Sequence, residues 1–349
     1  MAGHIFSEKP ELGKLATFAG NVRAPVHSWF HYKQGFSGQL VDFFLDRFRV
    51  EGRVLDPFCG SGTTLLACAR RGITAIGCDL EPIAVVASNA KLASDAALLR
   101  AWLERLKGID SSAAVPFGLA EKKAFSANTL AWIRAYSDAI NGMPPAAKSF
   151  YRLALVKAAM RCSYAYRDGA VIKFQKHGIP GLRKVFLGMS RSMLRDLKHG
   201  HYSGHALFAD ATRLPFKAQS FSAIITSPPY LGQLDYHAAY AVENWLASGA
   251  SAPLALGGKR ASNSAYLKLL ERFVAEAAKV LEPNAPCAII VGNGYADDKV
   301  VPVDEQLAAM AGNAGFKVEQ IMVLNRRYAL QDRTRQAGVL RESAVLLTA

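Results

Sequence analysis

The chain has 349 residues, 51% of them hydrophobic, enough to bury an α/β core and carry a second lobe, since single cores stop growing near roughly 250 to 300 residues. Against 28 Asp and Glu stand 42 Lys and Arg, and the resulting +14 argues against an enzyme of small neutral substrates. A polyanion relieves such charge by counterion release, so nucleic acid is the first partner to test, although a basic surface also serves solubility.

The start, MAGHIFSEKPELGK, has an acidic, proline-containing break where a signal peptide needs an apolar run. No apolar stretch reaches the roughly 18 residues of a membrane span, so a cytoplasmic protein without membrane contact is expected. The cysteines, Cys59, Cys68, Cys78, Cys162 and Cys287, are odd in number, lack CxxC spacing and sit mostly in apolar runs. That pattern predicts buried, reduced thiols and no metal.

From Val26 to Asn89 a polar-aromatic lead-in precedes an amphipathic stretch carrying Leu40, Phe43, Phe44 and Phe48. Two short apolar runs follow, RVLD ending at Asp56 and ITAIGCD ending at Asp79, with helical LLACARRG between them. Strand, glycine turn, helix and strand make a βαβ unit, which predicts an α/β fold with a parallel sheet. Between Lys91 and Gly204 the spacing becomes helical, as in AWLERLKGI, NTLAWIRAYSDAI and FYRLALVKAAMRCSYAY, and predicts a helical insertion. Its second half, Tyr151 to Tyr202, holds eleven Lys and Arg, among them Arg152, Lys157, Arg167 and Lys198, against only Asp168 and Asp196.

Strand-like runs resume with HALFAD, SAIITS, CAIIVG, KVEQIMVL and SAVLL, alternating with helical YLKLLERFVAEAAKVL and VDEQLAAMAGNAG. The last two runs suggest an antiparallel closing pair, and Ala247 to Ser264 reads as a mobile loop. The expected division is 1–95 and 205–349 as two parts of one catalytic domain, with 96–204 as a basic insertion between them.

Asp56-Pro57-Phe58-Cys59-Gly60-Ser61-Gly62-Thr63-Thr64 follows a strand and opens a helix, so its glycines let the backbone approach a ligand closely. A P-loop needs GK[ST], which is absent, and GxGxxG would put its third glycine where Leu65 stands. The turn therefore suits a nucleotide-like ligand without a pyrophosphate. Asp79, at the end of the next strand, is placed to accept from two ribose hydroxyls, and Asp210 to accept from an adenine amino group. Each feature alone has a plainer reading as an ordinary loop or a helix cap; the conjunction favours a cofactor site.

DPFCGSGTT, with GCDLEP downstream and TSPPY later, resembles the amino-methyltransferases of DNA, the cytosine-N4 and adenine-N6 family. The resemblance implies a Rossmann-like class I methyltransferase fold with a seven-stranded, mostly parallel sheet, and S-adenosyl-L-methionine as cofactor. It gives cofactor roles to Asp56, Pro57, Phe58, Gly60, Gly62 and Thr63, to Asp79 and Leu80, and to Asp210 and Ala211. VHSWFHYKQGFSGQLVDFFL is similar to the family segment that packs over the methionine end, with Phe36 and Ser37 at its turn, although the usual proline-rich spelling is altered.

Thr226-Ser227-Pro228-Pro229-Tyr230 ends a strand-like run, and methylation of an amine gives each residue type a task. An exocyclic amine conjugated to its ring is a poor nucleophile, so its hydrogens must be drawn toward acceptors and its lone pair aimed. The Ser227 hydroxyl and Pro228 carbonyl are such acceptors, Pro228 and Pro229 remove competing donors, and Tyr230 offers a face to a flipped base. Carbon-5 methylation of cytosine normally uses a Pro-Cys pair, and Pro286-Cys287 lies inside an apolar strand. Within the resembling family, serine at the motif's first position goes mostly with cytosine N4 and aspartate with adenine N6.

Asp235 and Tyr236 are open between base-pocket residues and a plain helix cap and core aromatic. Lys259 and Arg260 are candidates to clamp phosphates, and the basic insertion is a candidate target-recognition region or a lid with a solvated face. The expected partner is DNA, as a duplex with a flipped base or single-stranded, together with a cognate restriction endonuclease. An RNA amine methyltransferase and a catalytically silent binding subunit are the competing readings.

Overall fold

The structure, a computed structural model, describes residues 5–111, 117–168, 171–197, 202–231, 235–256, 262–296, 299–331 and 335–349. Lys198, Lys259 and Arg260 lie outside them. Strand β1 (Phe6–Glu8) leads through short 3-10 turns to α1 (Gly38–Phe48), then β2 (Val54–Asp56), α2 (Thr63–Arg70), β3 (Ala75–Asp79) and α3 (Pro82–Lys91). The insertion follows as α4 (Ala96–Lys107), α5 (Leu119–Ala124), α6 (Ala127–Asn141), α7 (Pro145–Arg161), a hairpin of β4 (Ala165–Asp168) and β5 (Val171–Phe174), and α8 (Leu182–Asp196). The remainder comprises β6 (Gly204–Phe208), β7 (Ala223–Thr226), α9 (Tyr236–Ala239), α10 (Ala241–Ala247), α11 (Asn263–Val280), β8 (Pro286–Gly292), β9 (Gly294–Ala296), β10 (Lys299–Val301), α12 (Val303–Asn313), β11 (Lys317–Gln331) and β12 (Arg335–Thr348).

The main sheet runs β1-β11-β12-β8-β7-β2-β3-β6. Its pairings are parallel except at β12, which is antiparallel to both β11 and β8. The sheet thus has eight strands where seven are expected: β1 adds beside β11, with Phe6 opposite Ile321, and three residues are too few to leave a periodic signal. The insertion likewise departs from the all-helical expectation by containing the β4–β5 hairpin.

Alternate residues of the strands serve different cores. Leu55, Ile224, Ile289 and Val345 face α11 and α12, while Val54, Ala223, Ile290 and Ala344 face α1 and α2. A third core joins α3, α4, α6, α7, α8 and α10 to Trp29 and Phe30 of the lead-in. Helix α7 is buried on nearly every side, as an apolar helix at the centre of a lobe must be. The cysteines are buried free thiols. Among the described residues no helix is long and apolar enough to cross a membrane.

Candidate active site

Strands β2 and β7 lie side by side and parallel, at the point where the strand order reverses. The turns leaving them therefore meet at the carboxyl edge of the sheet, where open α/β sheets bind ligands. A hydrogen bond ties them together: Thr226 Oγ1 donates to Asp56 Oδ1 at 2.6 Å, and the Phe58 N–H donates to the same oxygen at 3.2 Å. Burial pushes the Asp56 carboxyl up to about 6, against the pull of these bonds.

A cleft of about 200 Å³, open at its mouth, runs along both turns. Of the residues expected at the cofactor, Phe36, Pro57, Phe58, Gly60 and Thr63 line it, as do Asp79, Leu80, Asp210 and Ala211. Ser227, Pro228 and Pro229 line the same cleft. Three expected cofactor residues stand behind its wall instead. Ser37 caps α1 by accepting from the Leu40 N–H, Asp56 is spent on the link between the turns, and Gly62 is packed against Ser88.

The glycine turn is closely built. Gly60 and Gly62 have φ of +49° and +76°, in the region that favours glycine. A Cβ at Gly60 would lie 3.1 Å from the Tyr32 ring, and one at Gly62 would lie 2.8 Å from the Ser88 Cα. Asp79 braces this turn, its Oδ2 accepting from the Gly60 N–H and its Oδ1 from the Glu81 N–H, both at 2.9 Å. Burial nevertheless pushes its carboxyl up to about 7. Asp210 is exposed, and its Oδ1 accepts from the Thr212 N–H at 2.8 Å.

Sequence reasoning missed several cleft residues, including Tyr32, Lys33, Gln34, Gly35 and Glu81. Tyr32 stacks on Tyr240 at 4.8 Å and on Tyr236 at 5.3 Å between ring centroids. The Tyr240 hydroxyl accepts from the Lys33 N–H at 2.9 Å, and Tyr236 donates to Gln34. Asn21 holds the lead-in over the cleft, donating to the Phe36 carbonyl at 2.9 Å and accepting from the Gly38 N–H at 3.0 Å. Glu81 accepts from Asn244, whose Oδ1 in turn accepts from the Ile83 N–H. The signals were adjacency: Glu81 lies in GCDLEP and Tyr32 in HYKQGFSG, beside residues already singled out. Tyr236 lines the cleft, whereas Asp235 caps α9 by accepting from the Ala238 N–H.

Tyr230 is absent from the cofactor cleft and lines an adjoining one, which shares Gln34 and Gly35 with the first. Its ring rests on Gly292, where a Cβ would come within 2.9 Å, and its hydroxyl donates to Glu342 Oε1 at 2.7 Å. The basic insertion is partly turned inward. Arg152 is 2% exposed and donates to Ser137 and Asn141, with burial lowering its guanidinium to about 10. Lys157 donates to the Trp29 carbonyl, and Arg167 pairs with Glu243.

The residues at the cleft fit S-adenosylmethionine. Gly60, where a Cβ would press on the cleft-lining Tyr32 ring, lies beside the Asp79 carboxylate with its lone pairs, and apolar Phe36, Pro57 and Phe58 complete the wall.

The family model for DNA methylases matches residues 41–89, which span most of α1 through α3. The Type II methyltransferase M.BsoBI of Geobacillus stearothermophilus is 27% identical over 286 residues, covering 69% of this chain and 56% of that protein. M.MjaII of Methanocaldococcus jannaschii is 46% identical over 68 residues, covering 19% and 13%. An S-adenosylmethionine-dependent methyltransferase structure from Methanosarcina mazei covers 87% of this chain and 96% of its own at 10% identity, with a TM-score of 0.38. The chain spans about half the length of the first of these relatives.

Strand order, the single reversed strand and the glycine turn define the class: a Rossmann-like α/β fold with a cleft that fits S-adenosylmethionine. Within that class, the chain is similar to the DNA methylases over residues 41–89 and to a Type II methyltransferase over 69% of its length.

Proposed function

We propose that the chain methylates the exocyclic amine of a flipped base in DNA, at N4 of cytosine, with residues 96–204 as the target-recognition region between the two parts of the catalytic domain. The supporting observation is that the glycine turn after β2 and the Ser-Pro-Pro turn after β7 line one cleft. When bound, S-adenosylmethionine supplies a methyl already activated on a sulfonium.

The chain's residues then have these tasks. Asp79 accepts from the ribose hydroxyls, and Asp210 from the adenine amino group. Ser227 Oγ and the Pro228 carbonyl draw the hydrogens of the target amine, which frees its lone pair for attack. Neither proline has an N–H to compete for those acceptors. Tyr230, braced by Gly292 and Glu342, offers its ring to the base drawn out of the helix, and the apolar wall keeps water from the reacting atoms. Serine at position 227 supports cytosine N4 over adenine N6. A restriction nuclease that cuts the same unmodified site is the companion this reading implies.

The test is transfer of labelled methyl from the cofactor to duplex DNA by the purified protein, followed by mass spectrometry of the released nucleosides. N4-methylcytosine is the expected product. N6-methyladenine would move the target base, and label found in RNA but never in DNA would overturn the reading.

A further inference from the structure

We propose that the β4–β5 hairpin is a DNA-contacting ribbon that holds duplex DNA across the mouth of the cofactor cleft. The proposal rests on the DNA reading above and names the surface that would serve it.

The hairpin has two unlike faces. Directly opposed residues of an antiparallel pair share a face, so Ala165, Phe174, Arg167 and Ile172 fall on one side and Tyr166, Lys173, Asp168 and Val171 on the other. The first face is docked. Arg167 donates to the Ala239 carbonyl at 3.1 Å, pairs with Glu243 and lies 4.8 Å over the Tyr240 ring, while Ile172 and Phe174 pack against the helical core. The second face is bare: Tyr166 is 45% exposed and Val171 60%.

The position favours a substrate partner. A cleft beside the hairpin is lined by residues of both faces, Tyr166, Val171, Ile172, Lys173 and Phe174, together with Lys123, Ala238 and Leu256. Ala238 lies two residues from Tyr236, which lines the cofactor cleft, so the short helix α9 walls both. Tyr240, under Arg167, stacks on Tyr32 of that same cofactor cleft, which fixes the hairpin's position relative to the methyl-transfer site.

The charge favours phosphate. Asp168 is the only acidic residue of β4 and β5 and is matched by Lys173, whereas exposed Lys123 and Lys176 form no ion pair among the described residues. The major groove of DNA admits a two-stranded ribbon, with apolar side chains meeting thymine methyls and cations meeting phosphates. The same face would otherwise suit a second copy of the chain, which carries the same positive charge and so gains less from meeting it.

The experiment compares the full chain with a Tyr166→Ala, Val171→Ser double variant. Binding of fluorescent duplex DNA is read by anisotropy, cofactor affinity by calorimetry and assembly by sedimentation. The expected result is DNA binding weakened about tenfold or more, with cofactor affinity and melting temperature unchanged. Unchanged DNA binding in the folded variant overturns the proposal, as does a shift in oligomeric state without loss of DNA affinity. Because anisotropy needs no turnover, a wild type that binds DNA through this hairpin but methylates nothing would sink the enzymatic reading alone.

Discussion

The turns after β2 and after β7 share a sheet edge, a hydrogen bond and a cleft, yet they are built from opposite backbone chemistry. The first turns through Gly60 and Gly62 at positive φ and keeps its N–H groups, one of them bonded to Asp79. The second runs through Pro228 and Pro229, which have no N–H, and leaves a hydroxyl and carbonyls as acceptors. A nucleoside needs close backbone approach; an amine about to give up one proton needs acceptors without rivals. The sheet supplies the meeting place, and each turn's residue types decide which partner it suits.

The largest expected effect breaks the acceptor side alone. On the proposed reading Ser227→Ala removes the hydroxyl that draws on the amine, so kcat should fall about 100- to 1,000-fold, while cofactor affinity by calorimetry stays within about twofold. Loss of cofactor affinity with kcat intact would exchange the roles of the two turns. Gly62→Ala breaks the other side through the fold: the added Cβ meets Ser88 at a positive φ, and a destabilisation of about 3 kcal/mol should appear in urea unfolding. An unchanged midpoint would show that the turn has room to yield. Thr226→Val cuts the link between the turns and leaves a buried Asp56 oxygen short of a donor, costing about 1–2 kcal/mol on the same assay.

The same contrast explains how much was legible in the sequence. Both turns announce themselves because glycine and proline restrict or free the backbone wherever they stand, and the strands before them are apolar enough to place them at a sheet edge. The β4–β5 hairpin left no such mark: its four-residue strands, AYRD and VIKF, mix charge with apolar residues and sit among helices. Arg152 and Lys157 counted toward a basic insertion open between DNA contact and a solvated face, but α7 is surrounded, and their positive ends are satisfied by Ser137 and Asn141 of the preceding helix and by the Trp29 carbonyl far back in the chain. Tyr32 joins the site through stacking on rings some two hundred residues away, which no local pattern encodes. Tyr230 was read for its type, and only the fold reveals that its ring belongs to the adjoining cleft.

The smallest expected effect sharpens the donor side. Burial raises the Asp79 carboxyl from its ordinary 3.8 to about 7, while an acceptor for ribose hydroxyls works best ionised. Cofactor affinity should therefore be flat above pH 7 and weaken as pH falls below it, because binding must then expel a proton. Asp79→Asn should bind about tenfold more weakly at pH 8 and lose that pH dependence, as calorimetry across pH 5.5 to 8.5 would show. Fold stability runs the other way: a raised carboxyl favours the folded state most below 3.8, and that contribution fades as pH climbs through 7. Protonating Asp79 thus relieves the cost of burying its charge, whereas the proposed cofactor contact needs the charged form, so an affinity curve rising toward acid would remove it from the ribose site.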